Sequence, residues 1–109
     1  MSRDISRASL APQTISITAS IGTCDAIDME HAAGGGFIVT VGASLTSLAF
    51  YGCDTKTGAY KAIYDKNNAA VTRTVAVDRS YALPDECYGF PYVKALGNNT
   101  GTLVVTTKG

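Results

Sequence analysis

The chain predicts an all-β fold, a single antiparallel β-sandwich of about seven to eight short strands, jelly-roll-like or immunoglobulin-like, behind an extended N-terminal arm. Three observations carry this. In Thr14-Ile15-Ser16-Ile17-Thr18-Ala19-Ser20-Ile21 every odd position is apolar and every even one carries a small hydroxyl, the two-residue period of a half-buried strand. Segments rich in β-branched and hydroxyl residues then recur to the C-terminus. Turn residues separate them at spacings of about ten residues.

Taken in order, residues 1–13 read as the arm: Ser, Arg and Ala without a stable period, then Pro12 before the first strand. Residues 14–109 form the sandwich domain, with Thr14–Ile21 as its first strand. Gly22-Thr23-Cys24-Asp25 is a turn, and Ala26–Glu30 is a short strand or an extended edge. A helical turn over 25–33 is the alternative, stopped by Gly34-Gly35-Gly36, which permits positive φ and close backbone approach. Phe37–Val41 is a β-branched strand. In Leu45–Tyr51 both faces are apolar, as in a central strand covered on two sides.

Residues 52–58 form a polar loop, Tyr60–Tyr64 a short strand, and Asp65-Lys66-Asn67-Asn68 a turn. Val71–Val77 alternates again, with Val75 and Val77 facing in. Asp78-Arg79-Ser80 turns the chain into the brief strand Tyr81–Leu83. Pro84–Gly89 makes one helical turn, and Phe90–Leu96 is a strand with Pro91 near its start. Asn98-Asn99-Thr100-Gly101 is the clearest hairpin signal, and Thr102–Thr107 closes the sheet.

The 109 residues fit one domain with one core. Hydrophobic residues are 46% and charged residues only 17%, so the chain is well buried or covers surface with a partner. Nine basic and nine acidic residues cancel. A neutral chain has no long-range field for nucleic acid or an anionic membrane, and little self-repulsion to oppose assembly. We therefore expect neither nucleic acid nor membrane as partner. No apolar run reaches a membrane span, and Met1–Arg7 lacks the apolar core of a signal peptide. Cys24, Cys53 and Cys87 are odd in number and far apart, which fits small buried hydrophobes made in a reducing cytoplasm better than a disulfide framework or zinc site.

No catalytic constellation emerges. His31 is the sole histidine and lacks metalloprotease spacing. Ser44 lacks the second glycine of a nucleophile elbow, and Cys53 between Gly52 and Asp54 has no thiolate-stabilising neighbour. Asp25, Asp28 and Glu30 do not match a calcium loop and read as a solvated acidic edge. Asp54, Asp65, Asp78 and Asp85 all fall at turns, where aspartate caps its own backbone. The expectation is a non-enzyme without a cofactor. Six tyrosines lie in the later two-thirds of the chain, and tyrosine suits interfaces and sugar platforms alike.

Tyr60–Asp65, Val71–Val75, Tyr81–Pro84, Phe90–Leu96 and Gly101–Gly109 together resemble small β-sandwich virion proteins of tailed phages. The resemblance covers roughly half the chain and implies a capsid decoration, or cement, protein. Such a protein binds the outside of an expanded head and clamps neighbouring major capsid subunits, with a homotrimer as the expected form and the capsid exterior as its location. Contacts to the major capsid protein or between subunits are then assigned to Arg3, Ile5, Arg7 and Leu10 of the arm and to Tyr51, Tyr60, Tyr88, Phe90 and Tyr92. A carbohydrate-binding module and a tail or baseplate accessory protein are the alternatives. Fold-level likeness alone does not separate them.

Overall fold

A computed structural model describes residues 12–30, 32 and 34–108. Two antiparallel sheets pack face to face around one core. The strands are β1 (Gln13–Ile17), β2 (Ile27–Asp28), β3 (Gly34–Val41), β4 (Ser47–Cys53), β5 (Lys61–Ala62), β6 (Thr72–Thr74), β7 (Ser80–Ala82), β8 (Tyr92–Gly97) and β9 (Gly101–Lys108). Short 3-10 turns cover Ile21–Thr23 and Asp85–Gly89, the latter where a single helical turn was expected.

The first sheet has the order β1-β9-β3-β7 and the second the order β2-β8-β4-β5, with β6 also paired to β4. Because β6 faces Ser47–Ala49 and β5 faces Tyr51–Gly52, the two share one edge of β4 as a single interrupted strand. The pairs β1·β9, β2·β8, β3·β7 and β4·β5/β6 are therefore nested. Nested antiparallel pairs are those of one long hairpin, and rolling it adds the contacts β3·β9 and β4·β8. This is jelly-roll topology, which resolves the choice between jelly roll and immunoglobulin-like sandwich.

Period-two alternation fills the core from both sheets. Ile15, Ile17, Phe37, Val39, Leu103 and Val105 point in from the first, and Ile27, Leu48, Phe50, Val93 and Ala95 from the second. Phe37 and Phe50 meet across the sheets with ring centroids 6.4 Å apart. Each such large buried side chain contributes about 1.5–3 kcal/mol. In the second sheet β4 is an inner strand, but the expected cover on two sides is not found among the described residues: Leu48 and Phe50 face the core, while Ala49 and Tyr51 lie half-buried on the outer face of a two-layer sandwich.

Three local expectations are corrected. The first strand stops at Ile17 instead of Ile21, because the chain must cross to the other sheet before β2. Asp25 fastens the crossing: its N–H donates to the Ser16 carbonyl (3.1 Å) and its carboxylate accepts from the Ser16 N–H (2.9 Å). The triple glycine opens β3 instead of ending an element. A Cβ at Gly36 would lie 2.6 Å from the Tyr81 carbonyl oxygen, so only glycine lets β7 approach. Residues Asn98–Thr100 do not close a hairpin, since β8 and β9 lie in different sheets. There the Asn98 side-chain oxygen accepts from the N–H groups of Thr46 (2.9 Å) and Ser47 (3.2 Å). An asparagine satisfies backbone that a neighbouring strand would otherwise hold.

Each seam between the sheets is bridged by one long polar side chain. Gln13 of β1 donates to the Asp28 carbonyl (2.9 Å) and accepts from the Asp28 N–H (2.8 Å), imitating a strand partner for β2. Arg73 of β6 reaches across to donate to the Ala82 carbonyl of β7 (3.1 Å). Both links blunt edges that would otherwise be open to further pairing.

Candidate functional site

The outer face of the second sheet gathers the tyrosines. On β8, Val93 and Ala95 point into the core, so Tyr92, Lys94 and Leu96 point out. On β4, Leu48 and Phe50 point in, so Ala49 and Tyr51 point out. Register then aligns them. Asp28 stands opposite Tyr92 and Tyr92 opposite Cys53, while Lys94 stands opposite Tyr51 and Tyr51 opposite Ala62. Tyr60, two residues before Ala62, falls on the same face beside Cys53 and Tyr92.

Polar contacts fix these rings. The Tyr92 hydroxyl donates to the Glu30 carboxylate (3.0 Å), and the Tyr60 hydroxyl donates to the Lys56 carbonyl (2.7 Å). The Lys94 ammonium sits 4.7 Å from the Tyr60 ring centroid and donates to the Ile21 carbonyl (3.2 Å). Such a cation over an exposed ring contributes about 0.5–1 kcal/mol. The hydrogen bond to Glu30 raises the Tyr92 phenol above its ordinary pKa, and burial does the same for Tyr60. Both hydroxyls are therefore neutral at pH 7. The face presents half-buried aromatic area with a carboxylate and an ammonium held among the rings.

Of the residues expected to contact partners, Tyr51, Tyr60 and Tyr92 come together here. Tyr88 and Phe90 do not join them. The Tyr88 hydroxyl donates to the Gly35 carbonyl (3.2 Å), and burial raises its pKa. The Phe90 ring lies on the backbone of Gly52, where an added Cβ would meet it at 2.6 Å. Arg3, Ile5, Arg7 and Leu10 lie outside the described residues, as does the rest of the arm before Pro12. Lys94 was not singled out from the sequence, although its place between Tyr92 and Leu96 in a two-residue period was the signal that could have found it.

Cys24, Cys53 and Cys87 are free and buried. Burial pushes the Cys87 thiol up to about 12, assisted by Glu86 and opposed by Arg73. Asp28 accepts from the Glu30 N–H (3.0 Å), and Asp65 from the N–H groups of Asn67 (2.8 Å) and Ala69 (3.0 Å). No group of three or more metal-ligating side chains occurs among the described residues. Ser44 lies in an open cleft of ≈ 440 Å³ between residues 41–44 and 99–102, among small residues without a titratable side chain. His31 lies outside the described residues.

No protein-family model matches the chain, and no curated protein or solved structure matches it.

Proposed function

We propose that this chain is a non-enzymatic virion structural protein, a capsid decoration protein that binds the outer surface of a phage head and ties neighbouring major capsid subunits together. The observation that carries the reading is the Tyr51–Tyr60–Tyr92 face of the second sheet. Tyrosine is enriched where proteins meet, because it brings apolar area and a polar handle at low entropic cost. The resemblance of the later strands to small virion proteins supplies the partner class. The arm leads into β1 at the edge of the first sheet, and a segment that orders on a neighbour adds buried area without enlarging the core. Repetition over a lattice multiplies weak contacts through effective concentration.

Cosedimentation of the full chain with expanded and unexpanded heads tests this. Saturable binding to expanded heads is expected, weakened by deletion of residues 2–12 while the sandwich stays folded. Absence of binding to expanded heads overturns the reading, and unchanged occupancy after the deletion overturns the role of the arm.

A carbohydrate-binding module is the second reading. It is favoured by the placing of Glu30 and Lys94 among the same rings, since a sugar needs both stacking area and hydrogen-bonding partners. A glycan that raises the melting temperature steadily with the logarithm of its concentration above the dissociation constant would establish it.

A further inference from the structure

The outer face of the first sheet is of a different kind. The row Thr14, Val104, Ile38 and Ser80 runs straight across β1, β9, β3 and β7. Ser16, Thr102, Thr106, Thr40 and Ala82 fill the outward positions around it. A register shift between Val39 and Val41 turns Val41 outward beside Thr102, against the two-residue period that would bury it. Ile38 is 41% exposed and Val41 59% exposed, among the few large hydrophobic residues exposed in the described chain. Along these strands the first charged residue is Lys108, opposite Gly34 at the rim, and Asp78 and Arg79 lie just before β7. An ordinary surface with roughly 30% charged residues would place about three charges on about ten outward positions.

We infer that this face packs against the same face of a second copy of the chain. Charge selects the occupant. A partner carrying charged groups here would have to strip them of water against a surface that offers no counter-charge, a loss without compensation. An uncharged face of Ile, Val and Thr loses little by meeting its own copy, and a two-fold axis brings the same patch to both sides. Apolar residues inside and charges at the rim are the usual arrangement of an interface. Size sets the strength. The four strands, of five, eight, eight and three residues, at about 3.4 Å per residue and about 4.8 Å apart cover about 400 Å² per copy, below the standard size and in the range of weak, transient pairs. The pair is weak and reversible, a dimer and not the threefold cluster expected from the resemblance. This inference does not depend on the capsid reading, whose tyrosine contacts lie on the other sheet.

Sedimentation equilibrium of the full chain over a dilution series tests it. The weight-average mass rises from one chain toward two as concentration increases. A tenfold rise in salt changes the dissociation constant by less than about twofold, because no exposed ion pair is involved. Ile38→Lys and Val41→Lys, each at an exposed position and checked for native circular dichroism, stay at one chain throughout. Tyr64→Lys, at an exposed residue between β5 and β6, dimerises like the parent. A parent that stays monomeric at millimolar concentration overturns the inference, as does an oligomer of any size that both lysine variants leave intact. Binding to expanded heads by a chain that fails this test leaves the proposed function standing.

Discussion

On the first sheet the outward row Thr14–Val104–Ile38–Ser80 contains no ring and no charge. On the second, Asp28–Tyr92–Cys53 and Lys94–Tyr51–Ala62 place rings, a carboxylate and an ammonium side by side. Both faces satisfy the same local demand, because β-branched and aromatic residues fit a pleated strand equally well. The inward halves of the two sheets are alike, each supplying aliphatic residues and one large phenylalanine. Folding therefore does not explain the difference outside. We propose that it reflects what each face meets: a broad uncharged surface suits a copy of itself, and anchored tyrosines suit a chemically distinct partner.

Backbone packing offers the strongest way to break this comparison. Gly36→Val puts a side chain against the Tyr81 carbonyl, which cannot move without opening β3·β7. It should cost about 3 kcal/mol or more in urea unfolding. Ala49→Val, outward and half-buried on β4, should stay within about 0.5 kcal/mol of the parent, since a β-branched residue suits that site. Equal effects would mean that the first sheet is not so tightly constrained.

Alkaline pH acts next, and mostly outside the first sheet. The folded state holds the Cys87 proton more tightly than the unfolded chain does. That contribution is complete below the ordinary thiol value of 9.0 and disappears as pH rises toward about 12. Tyr60, Tyr88 and Tyr92 are also raised and act in the same direction. The melting temperature should be flat to about pH 9 and then fall. A Cys87→Ala variant should lose less over that range, and an identical slope would contradict the thiol's part.

The seam gives a smaller effect. Gln13→Ala removes both hydrogen bonds to Asp28 and should cost about 1 kcal/mol in chemical denaturation. Hydrogen exchange should quicken at Asp28, whose N–H loses its acceptor, while β7 stays protected. Smallest is Tyr92→Phe. It removes the hydroxyl bonded to Glu30 at the sheet surface, and should leave the urea midpoint nearly unchanged, because water replaces that hydrogen bond.

How much of this was legible in the sequence depends on range. The Ile15–Ile17 alternation, the Phe37–Val41 run and the Asp65 turn are local signals, and each stands in the structure, whereas the apolar run Leu45–Tyr51 marks an inner strand without a cover on its second face among the described residues. Locally the Asn98–Gly101 signal is that of a hairpin, because the residues that hold Asn98, Thr46 and Ser47, lie some fifty positions away. Triple glycine has the local look of a stop, because its reason, the approach of β7 to Gly36, is not visible before the strands are paired. Tyr51, Tyr60 and Tyr92 could be named one by one, but their meeting needed the β4·β8 and β4·β5 registers. Tyr88 and Phe90 had the same residue chemistry and went elsewhere. The bulge that exposes Val41 defies the very period that identified its strand.

The most direct test of the division between faces is the number of copies bound per expanded head, measured below the concentration at which the chain self-associates. Three chains are compared: the parent, a Tyr60→Ser/Tyr92→Ser variant and Ile38→Lys. Loss of the paired tyrosines should lower affinity about tenfold or more, while Ile38→Lys binds within about twofold of the parent. Full binding by the tyrosine variant, or an equal loss in both, would contradict the assignment of partner contact to the second sheet.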